Sequence, residues 1–516
     1  MSLSPHFVVG PLNRRIFGSF VEHMGRCVYT GIFEPDHPTA DEHGFRQDVA
    51  ALVVELGATI VRYPGGNFVS NYRWEDGVGP REERPTRLDL AWRSIETNQV
   101  GTDDFLAWCE RLGLEPMMAM NLGTRGLAEA IDLVQYVNAE PGTDLADRRA
   151  ANGRIKPWDV RVWCLGNEMD GPWQMGAKTP EEYARLAEEV GRALKRFDPT
   201  LELVACGSSN RAMPTFGTWE RVVLERAFDH VDHISAHVYY EPHGGDVDSF
   251  LASGEDMDRF ISSVVATADH IAAVKQSDKR IMVSFDEWNV WFQERFGGEA
   301  SLGFEEGREL IRDVYSVLDA VVVGSLLITL MRHTDRVAMA CQAQLVNVIA
   351  PILTVPGGPA WRQTIFHPFA LTARHAKGVV LSVGGDIPSV ATTAYGDVDQ
   401  IWSTATWDRE SGALTIFAVN RSRTEPCELN LDLSAFGDLA VEEHLTIHDE
   451  DHTATNTQDD PERVVPQPGR STLEVGHLRA TLPAVSWHCI RITPPATAPA
   501  TAAQTSPNVT TEGFSS

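Results

Sequence analysis

The feature that most constrains the fold is an eightfold alternation of short apolar segments with helical segments over the first two thirds of the chain. Alternating strands and helices favour a parallel sheet with right-handed crossovers, and eight such units favour a closed (β/α)8 TIM barrel. A doubly wound open sheet is the alternative, but it does not require eight near-regular units, and no GxGxxG turn follows the first strand. The predicted strands are 16–21, 59–63, 116–120, 160–165, 202–206, 233–238, 280–285 and 325–330.

The segments between the strands carry apolar residues at helical spacing. One of them starts with a clear signal, because Thr179-Pro-Glu-Glu is a capping box with proline at the first helical position. The predicted helices are 45–56, 103–112, 127–137, 180–197, 219–227, 257–274 and 306–323.

After about residue 375 the pattern changes to short alternating segments separated by turn residues, which is typical of an antiparallel β-sandwich or jelly roll. The last twenty residues are rich in Ala, Thr, Pro and Ser, a composition that favours disorder. We therefore predict an N-terminal segment packed on the β-domain, a catalytic barrel, a β-sandwich and a disordered tail, at 1–14, 15–374, 375–496 and 497–516 respectively.

Composition narrows the possible partners and the compartment. The net charge of −28 disfavours binding to nucleic acid and to anionic membranes. The sequence contains no run of eighteen apolar residues, so we expect no membrane span. The first residues lack a basic segment followed by an apolar one, so we expect no secretory signal. The seven cysteines are scattered without a CxxC pair, which predicts neither a zinc site nor a disulfide framework. A reducing cytoplasm fits these observations.

Nearly every predicted strand ends in polar or aromatic residues. The carboxyl ends of barrel strands are where barrel enzymes build active sites, so this concentration predicts an enzyme. In chain order the groups are Glu22 and His23, Arg62 to Asn67, Asn121, Asn167 and Glu168, Ser208 to Asn210, His237 and Tyr239, Asp286 to Asn289, and Arg332 and His333.

Two of these residues suit the cleavage of an acetal. That reaction needs one carboxylic acid to protonate the leaving oxygen and one carboxylate to attack or to activate water. Glu168 follows the fourth predicted strand and Glu287 the seventh, and these strands face each other across the barrel mouth. A lone glutamate at a loop start is usually solvated or a cap, but two beside Asn and Trp residues favour catalysis. A retaining enzyme would place the two carboxyl groups about 5–5.5 Å apart.

Several motifs carry a specific family resemblance. In these segments the chain resembles the α-L-arabinofuranosidases of glycoside hydrolase family 51, and its C-terminal part resembles the family's jelly-roll domain by position. The segments are FGSFVEHMGR at 17–26, RYPGGNFVSNYRWEDGVGP at 62–80, CLGNEMDGPWQ at 164–174, HVYY at 237–240, DEWNVW at 286–291 and AQLVN at 343–347.

The resemblance implies an exo-acting retaining enzyme that releases terminal arabinofuranosyl residues from oligosaccharides. It implies Glu168 as the acid/base, Glu287 as the nucleophile, no metal or other cofactor, and a homo-oligomer, often a hexamer. Trp92 is expected at the mouth of the site. The residues implied to hold the sugar or to orient the catalytic pair are Glu22, Arg62, Asn67, Asn167, His237, Tyr239, Trp291 and Gln344.

Other interpretations remain open at the level of sequence. A related barrel enzyme such as a β-xylosidase or an endoglucanase would share the two glutamates, although Glu22 and the segment 62–67 argue against it. A noncatalytic sugar-binding protein would need no such pair. Arg62 fits a structural ion pair as well as a role beside Glu287. The cluster 448–452, which contains two histidines and three acidic residues, is interpreted as an acidic loop rather than a metal site.

Overall fold

The computed structural model describes residues 1–495, so the tail predicted at 497–516 lies outside the described residues. The strands up to the end of the barrel region are β1 (Val8–Pro11), β2 (Gly18–Phe20), β3 (Ile60–Tyr63), β4 (Arg87–Asp89), β5 (Ser94–Glu96), β6 (Glu115–Ala119), β7 (Val162–Leu165), β8 (Glu202–Ala205), β9 (His233–Tyr240), β10 (Met282–Val290), β11 (Val337–Gln342), β12 (Ile352–Thr354) and β13 (Ala360–Arg362).

The α-helices are α1 (Gln47–Leu56), α2 (Thr102–Leu112), α3 (Leu127–Asn138), α4 (Asp144–Ala151), α5 (Pro180–Phe197), α6 (Thr218–Ala227), α7 (Val247–Leu251), α8 (Ser253–Val274), α9 (Val317–Arg332) and α10 (Phe366–His375). Short 3-10 helices lie at Arg14–Ile16, Asn67–Ser70, Trp74–Gly77, Arg81–Glu83, His243–Gly245, Gln293–Arg295, Glu299–Ser301 and Ser434–Phe436.

Eight parallel strands form the closed barrel, which confirms the predicted (β/α)8 architecture. Strands β3 and β7 are buried at every position, because the barrel interior covers one face and the helices cover the other. Their sequences are accordingly continuous apolar runs broken only by functional residues such as Arg62. The closed order is β2, β3, β6, β7, β8, β9, β10 and β11.

Helix α5 shows how the sequence pattern directs packing. Its start is the predicted capping box, in which the Thr179 hydroxyl accepts a hydrogen bond from the Glu182 N–H. Tyr183, Ala187, Val190 and Leu194 recur at spacings of three or four residues and are fully buried against the barrel. The exposed positions include the charged residues Glu181, Arg185 and Arg196, so the helix covers the sheet with one face.

The eighth predicted strand, 325–330, is wrong, because these residues lie in α9 and the eighth barrel strand is β11. Helix α9 is buried on nearly all sides, so it lacks the amphipathic period that distinguishes a helix from a strand. The helix prediction 306–323 also begins too early. The true start is a capping box formed by Ser316 and Asp319.

The same error displaces two predicted strand-end residues. Arg332 and His333 end α9 and precede β11, so they lie at the opposite end of the barrel from the carboxyl ends of the strands. His333 pairs there with Asp258 of α8, at 2.8 Å between Nε2 and Oδ1. Both residues therefore stand away from the site predicted at the barrel mouth.

The C-terminal part is an antiparallel β-sandwich, as predicted. A seven-stranded sheet of order β1-β14-β17-β18-β24-β20-β21 faces a three-stranded sheet of order β19-β23-β22. Leu429, Leu431 and Leu478 of the smaller sheet pack on Ile416 and Ile490 of the larger one. The strands are β14 (Val379–Leu381), β15 (Ser389–Thr392), β16 (Gly396–Asp399), β17 (Ile401–Trp407), β18 (Leu414–Asn420), β19 (Cys427–Asp432), β20 (Ala440–Ile447), β21 (Gln467–Pro468), β22 (Arg470–Glu474), β23 (His477–Leu482) and β24 (Ser486–Thr493).

The N-terminal strand β1 pairs antiparallel with β14 at the edge of the larger sheet. Helix α10 ends at His375 and β14 begins at Val379, so the chain passes from the helices of the barrel to the strands of the sandwich between these residues. Within residues 1–495 no helix combines the length and the apolar character that crossing a membrane requires.

The barrel and the sandwich meet at α9. The larger sheet lays Trp487 of β24 directly on Gly324, where an added Cβ would lie 2.1 Å from the indole Cδ1. Nearby, the Arg332 guanidinium stacks over the ring of Trp402 at 3.6 Å, and the Trp402 indole N–H donates to Thr329. Close packing against a glycine therefore fixes the distance between the helix and the sheet.

We predict that Gly324→Ala lowers the melting temperature. Alanine is ordinarily about 1 kcal/mol more favourable than glycine inside a helix. Here its Cβ would overlap Trp487, and overpacking of this kind costs about 1–3 kcal/mol. Thermal unfolding followed by circular dichroism measures the net effect.

Two further variants control this prediction. Gly303→Ala adds a Cβ with no neighbour within 4 Å and should leave the melting temperature nearly unchanged. The double variant Gly324→Ala/Trp487→Leu should be affected less than the sum of its single variants, because the smaller side chain relieves the overlap. A more stable Gly324→Ala protein would contradict the packing argument.

Candidate active site

Polar side chains from neighbouring barrel strands converge at the carboxyl end of the barrel. Glu168 lies three residues beyond the end of β7. Glu287 lies inside β10 rather than past a strand end, and it is in register with His237 of β9. The pairing shifts between Ser284 and Glu287, and such irregularities re-aim side chains next to active sites.

Glu287 is held by hydrogen bonds to both of its carboxylate oxygens. Arg62 Nη1 donates to Oε1 at 2.6 Å, and the Tyr239 hydroxyl donates to Oε2 at 2.7 Å. Burial by itself would raise the pKa of Glu287, but the positive charges of His237 and Arg62 and these two bonds outweigh it and lower the pKa. Glu287 is therefore a buried, ionised carboxylate at neutral pH.

Glu168 sits in a different environment. Its Oε1 lies 3.0 Å from His237 Nδ1, its Oε2 accepts the Trp173 indole N–H at 2.7 Å, and its side chain is 11% exposed. Its backbone adopts a φ of 42°, which is uncommon for a residue with a side chain and is typical of strained functional sites. The chain therefore turns sharply after β7 and presents this carboxyl group to the cavity.

His237 connects the two glutamates, since its Nδ1 also lies 3.7 Å from Glu287 Oε2. Burial lowers the pKa of His237, but the negative charges of Glu287 and Glu168 outweigh burial and raise it above the ordinary value. His237 therefore lies within contact distance of both carboxyl groups.

Arg62 orients a third group at the site. Its Nη2 donates to Asn167 Oδ1 at 2.6 Å, so the amide Nδ2 of Asn167 is directed away from the guanidinium. Among the described residues, no partner lies within hydrogen-bond distance of this buried Nδ2. Asn167 therefore holds a buried donor without a partner next to Glu168.

Glu22 forms a second buried acidic centre. Its Oε1 accepts the Trp92 indole N–H at 2.8 Å and the Phe68 N–H at 3.0 Å, and its Oε2 accepts from Gln344 at 3.0 Å. Burial and the charge of Glu287 raise the pKa of Glu22 to about 8, although the Phe68 and Trp92 donors oppose this. At neutral pH Glu22 is mostly protonated and can donate to a hydroxyl group.

Glycine makes room for this arrangement. A Cβ on Gly66 would lie 2.6 Å from Glu22 Oε2, so the turn that presents Asn67 needs a glycine there.

The Ala343–Gln344 peptide is cis, and Gln344 Oε1 is buried without a partner in the described part of the chain.

One open cavity of about 870 Å³ collects most of the predicted site residues. Glu22, Asn67 and Trp92 line one part of it, and Trp291 packs edge-on against Tyr239 at 5.1 Å between ring centroids. The cavity falls in the range of about 300–1,000 Å³ that is usual for small-molecule sites. The predicted residues that line it are Glu22, Asn67, Trp92, Glu168, Tyr239, Glu287, Trp291 and Gln344.

Two further residues contact the site, although the sequence analysis assigned them no individual role. Trp173 is 43% exposed yet bonds Glu168, and its only sequence signal is its place in the loop that follows the acid. Asp286 is fully buried and lies 3.9 Å from Arg62 Nε on the side away from Glu287. Successive residues of a regular strand point to opposite faces, so the shifted pairing of β10 explains how both carboxylates reach one arginine.

Other predicted strand-end residues do not join the site. Asn121 donates to the Tyr72 carbonyl and shapes a loop, and the Ser208 N–H donates to Glu220. In the acidic loop, Asp449 pairs with Arg463 and Asp451 accepts bonds from Thr453. Within the described residues, the loop 448–452 is not among the groups whose donor atoms converge as metal ligands do.

In the part of the chain that the structure describes, two side-chain sets have donor atoms close enough to hold an ion. One consists of Glu168, His237 and Glu287, and the other of Glu241, His243 and Glu294 at the rim. In the first set the Arg62 guanidinium already neutralises Glu287. The second set is largely exposed, and exposed acidic groups alone do not define a metal site.

Comparison with known proteins agrees with this arrangement. Residues 52–259 match a family model described as the α-L-arabinofuranosidase 1 domain, and residues 286–486 match one described as the α-L-arabinofuranosidase C-terminal domain. The two matches cover most of the barrel and most of the sandwich.

Characterised relatives span nearly the whole chain. It is 57% identical to an intracellular exo-α-(1→5)-L-arabinofuranosidase of Streptomyces lividans, over 96% of this chain and 75% of the relative. It is 51% identical to an exo-α-(1→6)-L-arabinofuranosidase of Bifidobacterium longum, over 94% and 95%. A solved family 51 α-L-arabinofuranosidase of Bifidobacterium longum superposes with a TM-score of 0.91 at 51% identity, over 94% of this chain and 97% of that one.

The buried ion pair of Arg62 and Glu287 predicts a pH-dependent loss of stability in Arg62→Ala. At neutral pH we expect a loss of about 3–5 kcal/mol in the free energy of unfolding, because the buried carboxylate is left uncompensated. In the wild type the lowered pKa of Glu287 stabilises the fold above the ordinary glutamate pKa, and this contribution is lost as the pH falls. In the variant the pKa of Glu287 rises because the guanidinium is absent. Protonation of Glu287 then removes the uncompensated buried charge and reduces the loss of stability. The stability difference should shrink from about pH 7 towards pH 4.

Urea unfolding at several pH values measures this difference. Arg154→Ala is a matched control, since the exposed pair of Arg154 and Glu110 should contribute at most about 1 kcal/mol. The double variant Arg62→Ala/Glu287→Gln should recover part of the loss. A difference that does not change with pH would contradict the electrostatic explanation.

Proposed function

Because the chain belongs to glycoside hydrolase family 51 and is an α-L-arabinofuranosidase, we propose that it releases terminal α-L-arabinofuranosyl residues by double displacement. In this proposal Glu168 is the acid/base and Glu287 is the nucleophile. The observation that carries the proposal is the closeness of the two carboxylates, since one oxygen of each lies within 4.8 Å of the other. Retaining glycosidases keep their carboxyl groups about 5–5.5 Å apart, whereas inverting enzymes need about 6.5–9.5 Å to fit a water molecule.

In the first step Glu287 attacks the anomeric carbon while Glu168 gives its proton to the glycosidic oxygen. The bond between the anomeric carbon and that oxygen breaks, the alcohol leaves, and an ester forms between the sugar and Glu287. The lowered pKa of Glu287 supports its role, because only the ionised carboxylate attacks. Its hydrogen bonds to Arg62 and Tyr239 hold it in place for the attack.

In the second step the roles of Glu168 and water follow from the loss of charge on Glu287. Once Glu287 is esterified it no longer repels a second negative charge, so Glu168 is stable as a carboxylate after giving up its proton. Glu168 then takes a proton from water as the water oxygen attacks the anomeric carbon. The ester bond breaks, and the sugar leaves with its original configuration.

The remaining residues are proposed to bind the furanose hydroxyls. Asn167 Nδ2 and Gln344 Oε1 are a donor and an acceptor without partners in the described part of the chain. The protonated carboxyl of Glu22 adds a second donor. A hydrogen bond from Asn167 to the sugar 2-hydroxyl would strengthen as the transition state gains oxocarbenium character.

The names of the relatives support the choice of substrate and compartment. The Streptomyces lividans enzyme is named intracellular and acts on α-(1→5) linkages, whereas the Bifidobacterium longum enzyme acts on α-(1→6) linkages. We propose that this chain works in the cytoplasm on imported arabino-oligosaccharides. A panel of nitrophenyl glycosides and of both disaccharide linkages tests the specificity.

We predict that Glu287→Ala lowers kcat on a nitrophenyl α-L-arabinofuranoside by roughly 10⁴-fold or more, as the loss of a covalent nucleophile does in other hydrolases. Azide should restore part of the rate by attacking in place of Glu287, and the azide product should have the opposite anomeric configuration. Full activity of Glu287→Ala would refute the mechanism. Glu450→Ala, an exposed glutamate in the sandwich, is the matched control.

For Glu168→Ala we expect a loss that depends on the leaving group. General acid catalysis contributes typically about 10²–10⁴-fold. A nitrophenolate leaves without protonation, so cleavage of an oligosaccharide should suffer more than cleavage of the aryl glycoside. Azide should speed the second step and yield a product of retained configuration, in contrast to Glu287→Ala. An equal loss on both substrates would argue against Glu168 as the acid.

A further inference from the structure

The cavity continues well beyond the catalytic pair. Its distal part is lined by Arg211 from the loop after β8, by Tyr240 and Asp256, and by Ala394 and Tyr395 from the sandwich. A single furanose bound between Glu22 and Trp291 would leave this region unused. The distal region is therefore available to the rest of a longer substrate.

The distal wall is an organised polar surface. Arg211 Nη1 lies 3.1 Å from Asp256 Oδ1, and the Tyr240 hydroxyl donates to Asp256 Oδ2 at 3.2 Å. The Arg211 and Asp256 side chains are 38% and 18% exposed. Because both side chains are partly exposed, they can offer hydrogen-bond donors and acceptors to the hydroxyl groups of a ligand.

One strand connects the two regions. Tyr239 and Tyr240 are consecutive residues of β9. The hydroxyl of Tyr239 contacts Glu287, whereas the hydroxyl of Tyr240 contacts Asp256, because successive strand residues point in opposite directions. Strand β9 thus fixes the position of the distal wall relative to Glu287.

The sandwich reaches this wall through a hairpin formed by β15 and β16. Within residues 1–495 these two strands pair with each other and with no strand of either sheet of the sandwich. At the tip, the Ala394 N–H donates to Ser249 Oγ at 3.0 Å, and the Arg259 guanidinium lies 5.7 Å from the Tyr395 ring. A hairpin that adds little to the sandwich core but is anchored at the cavity is placed to contact a ligand.

We propose that the distal cavity is a leaving-group subsite for a neutral saccharide, and that the hairpin tip determines the preference for longer substrates. The inference rests on the proposed function, because it concerns the sugar units attached to the departing oxygen. Tyr395 offers an aromatic surface for a sugar ring, and Arg211 and Asp256 bind its hydroxyls.

Charge selects the class of leaving group. Glu241, Asp246, Asp256 and Glu299 line the distal cavity, and Arg211 is the one arginine or lysine that lines it among the described residues. This excess of carboxylates repels an acidic sugar but not a neutral one. We therefore expect discrimination against saccharides that carry a uronic or aldonic acid.

The test compares Tyr395→Ala and Arg211→Ala with the wild type on two substrates, a nitrophenyl α-L-arabinofuranoside and linear arabinotriose. The ratio of kcat/KM for the trisaccharide to that for the aryl glycoside should fall about tenfold, mainly through KM. Asp397→Ala, an exposed residue of the same hairpin outside the cavity lining, should keep the wild-type ratio. Arg211→Ala leaves the hairpin intact and carries the test if Tyr395→Ala misfolds.

A second comparison uses arabinotriose with its reducing end reduced to the alditol or oxidised to the carboxylate. The wild type should cleave the neutral alditol several-fold faster at low salt, and added salt should narrow the gap. Unchanged ratios in both variants, or equal cleavage of the two modified trisaccharides, would overturn the subsite. A wild-type chain that cleaves no arabinofuranoside at all would refute the proposed function instead.

Discussion

The active site depends on one buried guanidinium. Arg62 reaches the barrel mouth from β3 and bonds Glu287 and Asn167 with separate nitrogens, while Asp286 lies behind it. The guanidinium carbon of Arg62 lies over the Phe20 ring, 4.7 Å from the ring centroid. A buried charge is tolerated only when it is paired, so the guanidinium and the carboxylates have to be placed together by the closed barrel.

Two glutamates of one site are prepared for different tasks by their surroundings. Glu287 has a positive charge and two donors around it and is ionised, whereas Glu22 has burial and a negative neighbour and has a pKa of about 8. His237 lies between the carboxyl groups of Glu168 and Glu287 and contacts both of them. Environment, rather than residue type, thus separates the pKa values of the two carboxyl groups.

The sandwich both packs on the barrel and contributes residues to the cavity. Its larger sheet packs on α9 through Trp487 and Gly324, and this contact positions the hairpin of β15 and β16 at the cavity. The part of the cavity around Glu168 and Glu287 is lined by the barrel, whereas the distal part includes Tyr395 of the sandwich. Changes in the second domain could therefore alter the preference for leaving groups without touching Glu168 or Glu287.

By itself the sequence determined the barrel, the sandwich and the positions of Glu168 and Glu287, because alternating periodicity and polar strand ends are local signals. It misassigned α9, since a helix buried on all sides has no period to detect. The contacts of Trp173 and Asp286, and the approach of Tyr395 to the cavity, were decided only by the tertiary structure. The Trp173 contact spans only five residues, but it depends on how the loop after β7 folds. The Asp286 contact and the approach of Tyr395 join segments far apart in the chain, and the pattern within any one segment carries no record of which other segment will lie against it.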